Sequence, residues 1–69
     1  MATNGHDIFE FIRSRRKALG MTQRRLALLA GCGVVTVIKL EAGDTHVRLD
    51  KTMDILNVLG LTLNFVDVK

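Results

Sequence analysis

The run from Thr22 to Gly43 is the part of this chain that most restricts its fold. Thr22 stands before an apolar-periodic stretch, Gln23-Arg24-Arg25-Leu26-Ala27-Leu28-Leu29-Ala30, and Gly31 follows it. A hydroxyl residue in that place offers its oxygen to the free backbone N–H groups that open a helix. A glycine after the last periodic residue ends one. Only Cys32 and Gly33 then separate Gly31 from a second apolar run, Val34 to Glu41, which Gly43 terminates. Ala27, four positions before Gly31, is small enough for a neighbouring helix to come close.

The second run carries a conflict. Val34-Val35-Thr36-Val37-Ile38 is rich in β-branched residues, which favour strand on propensity alone. A helical reading instead puts Val34, Val37 and Leu40-Glu41 on one face, where the preceding helix needs a partner. Tertiary context overrides propensity, so a helix is expected.

Around this pair, Asp7 with Glu10 three residues on suggests a capping box opening a first helix. Ile8, Phe9, Ile12 and Leu19 form its apolar stripe, and Gly20 closes it. Arg16 falls on the same inward stripe, an odd place for a charge. A loop, Asp44 to Val47, leads to a fourth helix with Leu49, Met53 (or Thr52), Leu56 and Leu59 inward and Gly60 at its end. The remaining residues, 61–68, begin as an apolar/polar alternation and read as a strand. A strand needs hydrogen-bond partners for its backbone, and with the third segment helical the chain holds no second strand, so the partner must be another molecule. The expectation is a single mainly α domain over residues 1–69, with helices at about 7–19, 22–30, 33–42 and 48–59.

Sixty-nine residues make at most one small domain, of a size that buries only about 60% of its unfolded surface. The net charge of +3 is modest; its distribution is not. Between Glu10 and Glu41 lie seven basic residues, Arg13, Arg15, Arg16, Lys17, Arg24, Arg25 and Lys39, and no acid. A positive field of this kind on a helical pair suits a nucleic-acid backbone, whose neutralised phosphates release condensed counterions.

Other classes find little support. No basic start and apolar core mark a signal peptide, and no apolar run approaches the ~20 residues that span a bilayer. The single cysteine, Cys32, fits a reducing cytoplasm and reads as a small buried hydrophobe. His6 and His46 lack partners at metal spacing and read as exposed loop residues. No paired carboxylates, nucleophile–base set or phosphate-cradling glycine loop is present, so neither catalysis, a metal nor a cofactor is expected.

Residues 8 to 60 resemble the helix–turn–helix domain of the phage-repressor family (Cro/C1, or Xre-type). The resemblance rests on Arg16-x-x-x-Gly20-x-Thr22-Gln23-x-x-Leu26-Ala27-x-x-x-Gly31, then Val37, Leu40-Glu41, Gly43, Leu49 and Leu59-Gly60. It implies a compact four-helix, lambda-repressor-like fold that binds double-stranded operator DNA. The tail directly after the fourth helix is similar to that of HipB-type antitoxins, whose C-terminal strand pairs with its twin across a homodimer. That likeness implies a dimer interface at Leu61, Leu63 and Phe65, and a toxin partner resembling a HipA-type kinase.

The resemblance further implies that the second helix crosses the DNA backbone and the third enters the major groove. It carries Thr22, Gln23, Arg24, Gly33, Val34, Val35, Thr36 and Lys39 to the DNA, with Gln23 on a phosphate, and pairs Arg16 with Glu41 inside the fold. The family usually has Ser or Thr where Gly33 stands, and Gln, Arg or Asn at positions 34 and 35. Arg24 and Arg25 replace residues that are often acidic or neutral, adding phosphate affinity. Valine makes no bidentate hydrogen bond to a base edge and touches only a thymine methyl. Base readout is therefore expected to be sparse, through Lys39, Thr36, methyl contacts and DNA shape. Two other readings stay open: a stand-alone phage-type or restriction–modification regulator, and a protein-interaction module in which Val34, Val35 and Ile38 meet a partner protein.

Overall fold

Four helices follow one another in the computed structural model, which describes residues 5–63 and Asp67: α1 (Gly5–Ala18), α2 (Gln23–Ala30), α3 (Val34–Glu41) and α4 (Leu49–Val58). The β-branched run is helical, as its need to pack on α2 requires. The capping box expected at Asp7 is corrected: α1 is already helical from Gly5, whereas an N-cap residue lies outside the helix it opens. Thr22 does cap α2, its Oγ1 accepting a hydrogen bond from the Arg25 backbone N at 3.0 Å. The N-caps of α3 and α4, Gly33 and Arg48, make no side-chain cap bond.

All four helices end by the same device. The backbone N of Met21, Cys32, Asp44 and Leu61 reaches back to the carbonyl of Arg16, Ala27, Lys39 and Leu56 at 2.9–3.1 Å, with a glycine of positive φ just before each donor. This is the Schellman arrangement, in which a left-handed residue turns the chain so that the last carbonyls are satisfied. At Gly31 the φ is +70° and a Cβ would meet nothing within 4 Å. Glycine is required there by the backbone conformation and not by crowding.

The core consists of Ile12 from α1, Leu26 and Ala27 from α2, Val37 and Leu40 from α3, and Ile55, Leu56 and Leu59 at the end of the chain's fourth helix. α2 packs on both α3 and α4, while α1 packs on α3. Several expected inward residues are corrected: Ile8, Leu19, Leu49 and Met53 are exposed, as is Leu29, which with Leu26 and Ala30 reads from sequence as the buried face of α2. Ala27 is buried, as its small size at a helix contact suggests, and Ile55 takes an inward place not expected of it. The cause is rotation about the helix axis. With three leucines in α2 and a broad apolar face on α4, the neighbouring helices decide which ones turn inward.

Leu61 and Leu63 are half-buried against this core. The described part of the expected strand, residues 61–63, is not a strand. Residues 64–66 and 68, including Phe65 of the expected dimer interface, lie outside the described residues. No described helix is long and apolar enough to cross a membrane.

Candidate nucleic-acid interface

The interface is framed by a buried polar knot. Arg16 Nε donates to Glu41 Oε2 at 2.6 Å and Arg16 Nη2 to Glu41 Oε1 at 3.1 Å. Arg16 Nη1 donates to the Met21 carbonyl at 2.8 Å, and Gln23 Nε2 donates to Glu41 Oε1 at 3.2 Å. The knot ties α1, the start of α2 and the end of α3 together. It accounts for the charge on the inward stripe of α1. It also engages one N–H of the Gln23 amide, which has two to give, so Gln23 reaches outward with only the other.

α3 turns Val37 and Leu40 into the core. That fixes what it turns out: Val35, Ile38, Lys39 and Ala42 are all exposed, at the i, i+3, i+4, i+7 spacing that defines one helical stripe. This outward stripe is apolar except for Lys39. Val34 and Thr36 are half-buried on its two flanks.

Two recesses run beside the ridge. On one side Thr22, Gln23, Arg24, Val34 and Ile38 line a groove of about 400 Å³ between α3 and the start of α2. Arg13 extends that side, lining a smaller hollow with Gln23, Ile38 and Ala42. On the other side Thr36 and Lys39 share a cleft with Asp44, His46, Arg48 and Lys51. The residues singled out from sequence thus fall on both flanks of α3 rather than in one pocket. Ile38 joins them on the ridge. Arg13, Arg48 and Lys51 are cations that motif matching did not bring to this face. The i, i+3, i+4 count along α3, and a similar count from Arg48 to Lys51, would have located Ile38 and the α4 pair.

Not every basic residue of the acid-free stretch belongs here. Arg16 is neutralised by Glu41, and Arg15 Nε donates to the Leu59 carbonyl at 3.0 Å, stabilising the end of α4. Arg13, Lys17, Arg24, Arg25 and Lys39 remain exposed. In the α4 cleft the Asp44 carboxylate accepts the His46 backbone N–H at 2.8 Å and faces its Nδ1 at 3.1 Å. The backbone hydrogen bond, with help from the ring, holds the Asp44 carboxyl below its ordinary pKa. Arg48 pairs with Asp50 at 2.8 Å, both exposed. Cys32, at the turn between α2 and α3, is half-buried, and burial raises its thiol pKa. Among the described residues no group of histidine, cysteine and carboxylate side chains could hold a metal ion.

A capped helix, a tight glycine turn and a following helix with an exposed ridge define the helix–turn–helix class. The chain belongs to that family: the family description, "Helix-turn-helix", matches residues 12–66. Among similar proteins is the uncharacterized HTH-type transcriptional regulator y4mF of Sinorhizobium fredii, 32% identical over 60 residues that cover 87% of this chain and 79% of the relative. Another is an uncharacterized HTH-type transcriptional regulator of Haemophilus influenzae, 34% identical over 62 residues, covering 90% of this chain and 62% of the relative's length.

Proposed function

We propose that this protein is a sequence-specific, double-stranded-DNA-binding transcriptional repressor that acts through α2 and α3 and catalyses no reaction. The observation that carries this reading is the α3 ridge, exposed along its length and bordered by Arg13 and Arg24 on one flank and Lys39 on the other. Beside Lys39 stand Arg48, paired to Asp50, and Lys51, bonded to the Gly31 carbonyl. A helix of this width fits a major groove while flanking cations meet the phosphates on either side. The regulator relatives support the same direction. The test is a titration of fluorescent duplex DNA at several salt concentrations between about 50 and 200 mM. Affinity should fall steeply as salt rises; affinity indifferent to salt would overturn the proposal.

The finer reading is a HipB-type antitoxin: a cytoplasmic homodimer that represses its own operon and binds a HipA-type kinase. The tail sequence supports it, as does the place where that tail leaves the core. Leu61 and Leu63 line an apolar recess with Ile8, Phe11 and Leu56, so residues beyond Leu63 set out from an apolar surface suited to a second copy. The gene next to this one discriminates the readings. A kinase-like neighbour whose product co-purifies with this chain supports the antitoxin; a phage or restriction–modification neighbourhood supports a stand-alone regulator.

A further inference from the structure

On this DNA-binding reading, we infer that α3 recognises its site chiefly by the 5-methyl groups of thymines, read by Val35 and Ile38. Val35 is 57% exposed and Ile38 45% exposed, and neither belongs to the core. Lys39 is the one hydrogen-bonding side chain on their stripe. Thr36, whose hydroxyl could have contributed, is half-buried on one flank, as Val34 is on the other. The ridge therefore lacks the paired donors and acceptors that read guanine or adenine edges, and the thymine methyl is the one apolar feature a base pair presents in the major groove.

Charge argues for DNA as the occupant of this apolar ridge. Exposed Arg24 and Arg13 stand on one side, Lys39 and Arg48 on the other. Of the nearby carboxylates, Glu41 is paired with Arg16 and Asp50 with Arg48, while Asp44, hydrogen-bonded to the His46 backbone, keeps its charge; the cations still outnumber the acids on both flanks. Spacing agrees as well. Three residues of α-helix advance roughly 4.5 Å, close to the ~3.4 Å step between bases of one strand, so Val35 and Ile38 meet neighbouring base pairs. The recognised half-site should then contain adjacent thymines, with Lys39 at its edge.

Substituting deoxyuridine for thymidine removes the methyl and leaves every hydrogen-bonding group in place, which makes the test direct. The full chain is used to select a duplex of about 24 base pairs, room for two half-sites one turn apart, from a random pool. Each thymidine of the selected half-sites is then replaced by deoxyuridine. Burying one methyl is worth about fourfold in affinity, so two contacts per half-site should weaken binding by about fifteenfold per half-site. The V35A/I38A variant, altered only at exposed positions and checked for folding by circular dichroism, should bind thymidine and deoxyuridine duplexes alike. Equal affinity of the unaltered protein for the two duplexes overturns the inference while leaving DNA binding intact. Discrimination that persists in V35A/I38A also overturns it, since methyl effects on DNA shape would then be responsible. Failure to select any duplex overturns the DNA-binding reading itself.

Discussion

Glu41 grips Arg16 with both carboxylate oxygens, at 2.6 and 3.1 Å, and the two side chains are only 8% and 4% exposed. Two charges withdrawn from water in this way depend on each other. Removing one partner of such a pair strands the other and costs about 3–5 kcal/mol, whereas replacing both with packed apolar groups is often neutral or better. E41A is therefore expected to bring so small a domain close to unfolding, because Arg16 would also lose its link to α3 and Gln23 its acceptor. An R16M/E41L double variant should recover most of the loss. Urea denaturation of the three proteins checks this; an E41A curve that overlays the unaltered protein would refute it.

Turn chemistry supplies two opposite expectations. At Gly31 the backbone φ of +70° puts a Cβ against the following carbonyl, so G31A should lose roughly 1–2 kcal/mol although the site has room. G31N should lose less, since asparagine tolerates that conformation. At Gly33 the backbone is extended, with φ −77° and ψ 153°, and no side chain caps α3. A serine there fits the N-cap position, with open space around it, and G33S should stabilise the fold by about a few tenths of a kcal/mol. Thermal melts of G31A and G33S should move in opposite directions.

The sequence made the helix pair and its punctuation legible because those depend on local chemistry: Thr22 as a cap and glycines as stops. The partner of Arg16, 25 residues away, came only from the family resemblance. Which apolar residues turn inward was less legible. Leu29 and Met53 fit a helical stripe as well as Ala27 and Ile55 do, and only the positions of the other helices separate them. The charge pattern misled in a similar way. Arg15 looks like part of the basic field, yet its guanidinium is drawn to the Leu59 carbonyl. Arg48 and Lys51, beyond the acid-free stretch, line the α3 cleft together with Asp44, His46 and Val47 of the connecting loop.

That division between structural and outward-facing cations predicts how single substitutions affect DNA binding. R24A should weaken binding to all duplexes about equally and reduce the salt slope by about one, as expected for a lost phosphate contact. K39A should weaken binding and also blur the preference among sequences. R15M should leave affinity and slope nearly unchanged while lowering the melting temperature, since its partner is a backbone carbonyl. Salt-series titrations on specific and random duplexes separate these outcomes. A reduced slope for R15M equal to that of R24A would contradict the assignment.

Asp44 gives the pH dependence its sign. Its carboxyl is held below the ordinary value of 3.8 by the His46 backbone N–H and then by the His46 ring. A depressed folded-state pKa means the contribution is complete above the ordinary carboxylate value and disappears as pH falls through the lowered one. D44N should therefore be somewhat less stable than the unaltered protein at neutral pH, where the carboxylate's contribution is complete. The difference should vanish as pH falls below about 4, flattening the acid side of the profile. At neutral pH the same substitution removes a negative charge from the cleft it shares with Lys39, Arg48 and Lys51, so binding to duplex DNA should tighten at low salt. Carboxyl titration by NMR provides the direct check, and an Asp44 that titrates at or above the ordinary value would negate it.

Assembly is the remaining expectation. Leu61 and Leu63 are packed against the chain's own core, and the Leu61 N–H closes the α4 turn on Leu56 at 2.9 Å. These residues belong to the monomer as much as to any interface. On the proposed dimer reading, the residues left to join a second copy are those after Leu63, among them Phe65, Val66 and Val68. Two such segments related by a two-fold axis would pair antiparallel and close the assembly, and the pairing would set the distance between the two α3 ridges. Removing residues 64–69 should leave a folded monomer, because the core and all four helix ends are retained. Its affinity for a two-half-site duplex should fall to that for a single half-site, as two ridges no longer arrive linked. Sedimentation equilibrium of the full and shortened chains, with parallel DNA titrations, measures both effects. If the shortened chain still sediments as a dimer, or if the full chain is already a monomer at the concentrations that bind DNA, the tail is not what joins two copies.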